Sequence, residues 1–241
     1  MTDNCQNSNN TRHPVSAVGI GPGDPDLISV KGLKALQQAE VIFYPASPAA
    51  DDTTNSFSFK ILQHYKLQGE LTPMIIPMKE SNRTENYRKV YEQIRNAFQQ
   101  GKRVAVVSEG DLLFYSTFGY LLEHIKADRI PVCLIPGIPA FILGASAMQE
   151  SLVDGNDSFR ILARPKSFEQ IESLLEQTNT LVVMKMSILK DWYRFLTHCE
   201  KPFFYAEMLG TDRQFATSSA QDLEHRVIPY FSIIILKNKQ A

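Results

Sequence analysis

The chain has 241 residues, 44% of them hydrophobic and 21% charged, with 25 Lys and Arg against 26 Asp and Glu for a formal net charge of −1. That length supports one large core or two smaller ones, and the composition is that of an ordinary globular protein. The near-neutral balance removes any bulk electrostatic pull toward nucleic acid or an anionic membrane.

The first 13 residues are polar and nearly uncharged, with no apolar stretch of signal-peptide type, and predict a disordered tail. Cys5, Cys133 and Cys199 are far apart and form no CxxC, so they signal neither a disulfide framework nor a zinc site. No apolar run reaches membrane-spanning length. A cytoplasmic protein in a reducing compartment, with no membrane and no nucleic-acid partner, is the expectation.

Strand and helix patterns then alternate. "VSAVGI" (15–20) is a short β-branched run ending at glycine, a buried strand. In "SVKGLKALQQAE" (29–40), Ser29 is placed to cap a helix with Val30, Leu33, Leu36 and Ala39 on one face. "VIFYP" (41–45) and "LTPMIIPM" (71–78) predict two further strands. "NYRKVYEQIRNAFQQG" (86–101) repeats apolar residues at helical spacing and closes on Gly101. "KRVAVVSEG" (102–110) predicts a strand, "FGYLLEHIKA" (118–127) a helix and "PVCLIP" (131–136) a strand. Such alternation indicates a mostly parallel α/β sheet.

The pattern changes near "IPGIPA" (135–140). After the small-residue helix "PAFILGASAM" (139–148), strands dominate at 159–165, 180–186, 203–209, 214–219 and 230–236, with helices only at 168–177 and 188–198. "VIPYFSIIIL" is the most hydrophobic run and predicts a central strand. The expected organisation is a tail over 1–13, an N-terminal α/β domain over 14–135 and a C-terminal α/β domain over 136–241.

The stretch "AVGIGPGDPDLISVKG" (17–32) invites a dinucleotide reading that its details resist. Gly19, Gly21 and Gly23 read G-x-G-x-G rather than G-x-G-x-x-G, and "DPDLI" separates them from the helix. Asp24 and Asp26 would repel phosphate, and no Gly-Lys-Ser/Thr follows. A tight turn using glycine at positive φ accounts for the glycines alone. A second loop, "EGDLLFYST" (109–117), and a third, "IPGIPA", also follow strands. Ligands of α/β sheets bind at the carboxyl ends of strands, so three such loops on one edge predict a ligand crevice.

The order and spacing of "VGIGPGDPDLISVKGLKALQQAEVIFYP", "EGDLLFYSTFGYL", "IPGIPAFILGASA" and "PYFSIIIL" resemble the tetrapyrrole methylase family over about residues 15–238. Within it, "FYSTF", "VIFYP" and "PYFSIIIL" are most similar to the branch that methylates C20 of precorrin-2 or its cobalt form. The resemblance implies a class III methyltransferase fold, with two α/β domains and a cleft between them that binds S-adenosyl-L-methionine. It also implies a tetrapyrrole substrate and a homodimer.

Carried over by position, it implies that Pro22, Glu109, Gly110, Asp111, Phe114, Ser116, Thr117, Pro139, Ala140, Met184 and Lys185 bind the methyl donor. Asp24 is implied on the substrate side. Glu109, Asp111 and Tyr115 are candidates for removing the proton released by C-methylation. The substrate's carboxylates call for cations, and Lys79, Arg83 and Arg164 are candidates, with Tyr44 a candidate platform. Each also has a plain reading, Lys79 and Arg83 as solvated loop residues and Tyr44 as core. The family's second loop carries a proline where this chain has Leu112. His64, His124, His198 and His225 lack metal-ligand spacing. A sibling methylase acting on another precorrin or on uroporphyrinogen III, and a non-catalytic nucleotide-binding α/β protein, are the alternatives.

Overall fold

The computed structural model describes residues 13–46, 56–75 and 83–238, with the backbone alone for Arg83, and divides the chain into two units, Met1–Pro139 and Ala140–Ala241. In the first unit, β1 (Val15–Gly19), β2 (Val41–Ala46), β3 (Glu70–Ile75), β4 (Val104–Ser108) and β5 (Val132–Ile135) form a wholly parallel sheet in the order β3-β2-β4-β1-β5. Successive strand residues point to opposite faces. Ala17, Phe43 and Val106 pack under α3 (Arg83–Gln99) and α4 (Phe118–Ala127). Val18, Ile42 and Val107 pack under α1 (Val30–Gln38) and α2 (Phe57–Gln63). Coverage on both faces explains why these strands read as continuous apolar runs.

Helix ends follow their local chemistry. The Ser29 hydroxyl accepts from the Gly32 amide at 3.1 Å and caps α1. Gly101, at φ +80°, turns the chain after α3. The expected apolar stripe of α1 is corrected at Val30, which is 70% exposed. A Cβ on Gly32 would lie 2.8 Å from Val18 Cγ1, so the helix backbone itself approaches the sheet there. That approach turns Gly32, Leu36 and Ala39 inward and Val30 out. Gly119, in α4, has nothing within 4 Å of where its Cβ would stand. Gly119→Ala is therefore expected to stabilise the protein by about 0.5–1 kcal/mol through helix propensity, read as a higher urea midpoint at unchanged slope.

In the second unit, β6 (Phe159–Ala163), β7 (Thr180–Met184), β8 (Phe203–Glu207), β9 (Phe215–Thr217) and β10 (Ser232–Lys237) form a mixed sheet in the order β6-β7-β10-β8-β9. Only β6 and β7 pair in parallel. The run of Ile233 to Leu236 is buried at the sheet centre, as its hydrophobicity predicts. Two helices, α6 (Phe168–Glu176) and α7 (Trp192–His198), cover one face, and Trp192 donates its indole N–H to the Met186 carbonyl at 2.9 Å. The small-residue helix α5 (Ala140–Met148) covers the other face. Its Gly144 admits Ile233, whose Cδ1 lies 2.4 Å from where a Cβ would sit. Cys199 is a free thiol. Among the described residues, no helix is long and apolar enough to cross a membrane.

Candidate active site

Parallel pairing brings the carboxyl ends of β4, β1 and β5 side by side, so the three glycine loops leave one edge of the first sheet. They are joined through their backbones. Gly21 and Gly110 exchange two hydrogen bonds, with the Gly110 amide donating at 2.7 Å and the Gly21 amide at 3.2 Å. Both have positive φ, +83° and +64°, which glycine adopts without strain. A Cβ on Gly137 would stand 2.1 Å from the Gly110 carbonyl oxygen and 2.8 Å from Gly19. Only glycine lets the loops meet this closely.

Asp111 ties the second loop to the third. One carboxylate oxygen accepts from the Leu113 amide at 2.9 Å, the other from the Gly137 amide at 3.0 Å. Leu112 is 1% exposed and packs in the core beneath α3 and α4. Apolar burial thus anchors this loop at the position where the resembled family uses a proline ring. Ser116 meets Ser108 at 2.7 Å between hydroxyl oxygens and accepts from the Phe118 amide at 3.1 Å, at the start of α4. Thr117 makes no side-chain capping bond to that helix. Phe114 is half-buried and stands edge-on to the exposed Tyr115, which has φ +49°. In the first loop Pro22 is buried, and Asp24 accepts from the Asp26 amide at 2.9 Å and begins the 3-10 turn Pro25–Leu27.

Glu109 receives a hydrogen bond from the fully buried Ser58 of α2. Burial pushes its carboxyl above the ordinary range, and the Ser58 bond pulls it part of the way back. A raised folded pKa gives stability that is full below the unfolded value, near 4.3, and lost as pH rises through the folded value. Glu109→Gln is therefore expected to lose less stability than the wild type as pH rises from 4 toward neutrality. Urea midpoints across that range check this, and parallel curves for the two proteins would exclude it.

The remaining predicted residues fall elsewhere. Tyr44 is 2% exposed and packs in the core with its ring 5.4 Å from Phe59, so the core reading holds and the platform reading is corrected. Arg83 begins α3, and Lys79 lies outside the described residues. Pro139 ends the first unit, half-buried near Gly110, and Ala140 begins α5 in the second.

Within the second unit, Arg164 and Lys185 follow the paired ends of β6 and β7, where Ala163 opposes Met184. Both are left-handed, φ +60° and +59°, and the Arg164 amide donates to the Met184 carbonyl at 3.3 Å. Lys185 Nζ stands 5.6 Å from the Tyr230 ring centre. Sequence reasoning missed Ser58, because no helix was read there, and Ser108, because a serine closing a strand carries no motif.

A family model described as tetrapyrrole (corrin/porphyrin) methylases matches residues 14–224. The chain belongs to this family.

As a tetrapyrrole methylase it has relatives that match it over most of both chains. The precorrin-2 C(20)-methyltransferase of Sinorhizobium sp is 30% identical over 233 residues, covering 91% of this chain and 93% of its own length. A probable cobalt-precorrin-2 C(20)-methyltransferase of Methanocaldococcus jannaschii is 27% identical over 178 residues, covering 73% and 74%. The cobalt precorrin-4 methyltransferase CbiF shares the fold at a TM-score of 0.71 and 21% identity, across 92% of this chain and 94% of that one. Uroporphyrin-III C-methyltransferase of Thermus thermophilus, solved with S-adenyl homocysteine, does so at 0.63 and 20%, across 93% and 97%.

Proposed function

We propose that this tetrapyrrole methylase transfers a methyl group from S-adenosyl-L-methionine to C20 of precorrin-2 or its cobalt form, in cobalamin biosynthesis. The observation that carries the reading is the 30% identity, over nearly the whole of both chains, to a precorrin-2 C(20)-methyltransferase.

The residues at the loop edge fit the donor. Small residues and backbone groups dominate there, and the half-buried Thr117 hydroxyl is not committed to capping its helix. When bound, S-adenosylmethionine supplies an activated methyl group on a positively charged sulfur. Phe114, Thr117 and Pro139 are the residues of the first unit that we assign to it. Aspartates that would repel phosphate are compatible with a cation. Methyl transfer needs its two reactants in line, and orientation alone can supply several kcal/mol, on the order of 7 or more in the best cases. A rigid, small-residue edge suits that task.

The Glu109 and Asp111 carboxylates both accept hydrogen bonds within the fold. Glu109 holds Ser58, and Asp111 holds the amides of Leu113 and Gly137. We assign both to positioning, and Tyr115, exposed in the same loop, to the substrate side. Arg164 is assigned to the substrate's carboxylates. A cytoplasmic location and a homodimer belong to the same reading, and fractionation and light scattering test them.

The decisive test incubates the protein with S-adenosylmethionine and, in separate reactions, metal-free precorrin-2, its cobalt form and uroporphyrinogen III, and follows product mass and the methylated carbon by NMR. One methyl group gained at C20 is expected. Methylation at another carbon, or of uroporphyrinogen III instead, would assign the chain to a sibling reaction, and no transfer at all would overturn the reading.

A further inference from the structure

A ten-residue stretch around α2 bonds to the end of β2, to the residue that follows β4 and to the loop after β1. The Ser56 hydroxyl donates to the Pro45 carbonyl at the end of β2, at 2.6 Å. Ser58, fully buried, donates to the Glu109 carboxylate just past β4. The Tyr65 hydroxyl donates to the Pro25 carbonyl in the loop after β1. Between these bonds, Ile61 and Leu62 are buried against the sheet and fix the stretch in place.

The loops it reaches need such support. The Gly21–Gly110 bridge consists of two backbone hydrogen bonds between residues with no side chain to pack. Glycine loses more conformational freedom on ordering than any other residue. A loop left loose must be ordered when a ligand binds, and that cost comes out of affinity.

We infer that Ser58 and Tyr65 are positioning residues, which brace the loops after β4 and β1 and so hold the Gly21–Gly110 bridge in its ligand-ready form. The inference rests on the reading that this edge binds the methyl donor. Neither residue need touch donor or substrate, since each acts through the loop it holds.

The test uses Ser58→Ala and Tyr65→Phe in the full chain, with two readouts. Amide hydrogen exchange at Gly21 and Gly110 is expected to quicken about tenfold in each variant, the size of one net hydrogen bond, while amides in the middle of α3 keep their rates. By calorimetry, the Kd for S-adenosylhomocysteine is expected to rise about tenfold, the same bond seen through binding. Tyr65→Phe removes only a hydroxyl from a partly exposed ring, so it serves if Ser58→Ala folds poorly.

Bridge amides that are unchanged, or that quicken equally with α3, overturn the brace whatever ligand binds. Faster bridge exchange with an unchanged Kd overturns its role in binding. A wild-type protein that ignores S-adenosylhomocysteine, with a bridge that still responds to both variants, sinks the proposed function and leaves the brace standing.

Discussion

Gly137→Ala is expected to destabilise the first unit by at least about 3 kcal/mol and to abolish binding of S-adenosylhomocysteine. The new methyl would stand 2.1 Å from the Gly110 carbonyl oxygen and 2.8 Å from the Gly19 backbone. All of these are backbone atoms, so no side chain can swing aside. Forcing a methyl into a filled site commonly costs about 1–3 kcal/mol, and more where nothing can yield, so the top of that range is the lower bound here. Gly101→Ala is the control. Its φ of +80° strains alanine, but nothing lies within 4 Å, so it is expected to lose only about 1 kcal/mol and no affinity. Urea titration and calorimetry read both. A Gly137→Ala protein with wild-type midpoint and affinity would show that the three loops do not meet.

Leu112→Ala is expected to cost about 3 kcal/mol, as the truncation of a fully buried leucine does, and to weaken S-adenosylhomocysteine binding as well. Leu112 joins the core directly between Asp111 and Leu113, so emptying its site frees the loop at its centre. Ile94→Ala in the same cluster is the comparison, with a similar loss of stability and no link to the loop. Measured where both variants are folded, only Leu112→Ala should lose affinity. Equal affinities would mean that Leu112 packs the core without steadying the loop.

The two predictions concern residues of different legibility. Leu112 stood out in the sequence as the departure from the family's proline, but its compensation, burial beneath α3 and α4, exists only in the folded chain. Gly137 lay in a loop legible as one of three on a sheet edge, yet its partner Gly110 is 27 residues away and nothing local names it. Ser58 was invisible for a related reason. Its helix spans seven residues, Phe57–Gln63, too short for a period to show, and its partner Glu109 is 51 positions along the chain. Tyr44 illustrates the opposite error, since an aromatic residue at a strand end looks the same in sequence whether it faces a ligand or Phe59.

By itself, then, the sequence determined most elements of the fold, including the central strand around "SIIIL", the caps at Ser29 and Gly101, and the family, carried by motifs in fixed order. These follow from local periodicity, glycine and proline stereochemistry, and the near-continuous apolar content of doubly covered strands. Tertiary structure alone decided the strand order β3-β2-β4-β1-β5, the outward turn of Val30, the joining of Gly19, Gly110 and Gly137, and the partners of Asp111 and Glu109. Those depend on which distant backbones come within a few ångströms, and a glycine or an aspartate carries no record of the neighbour it will meet.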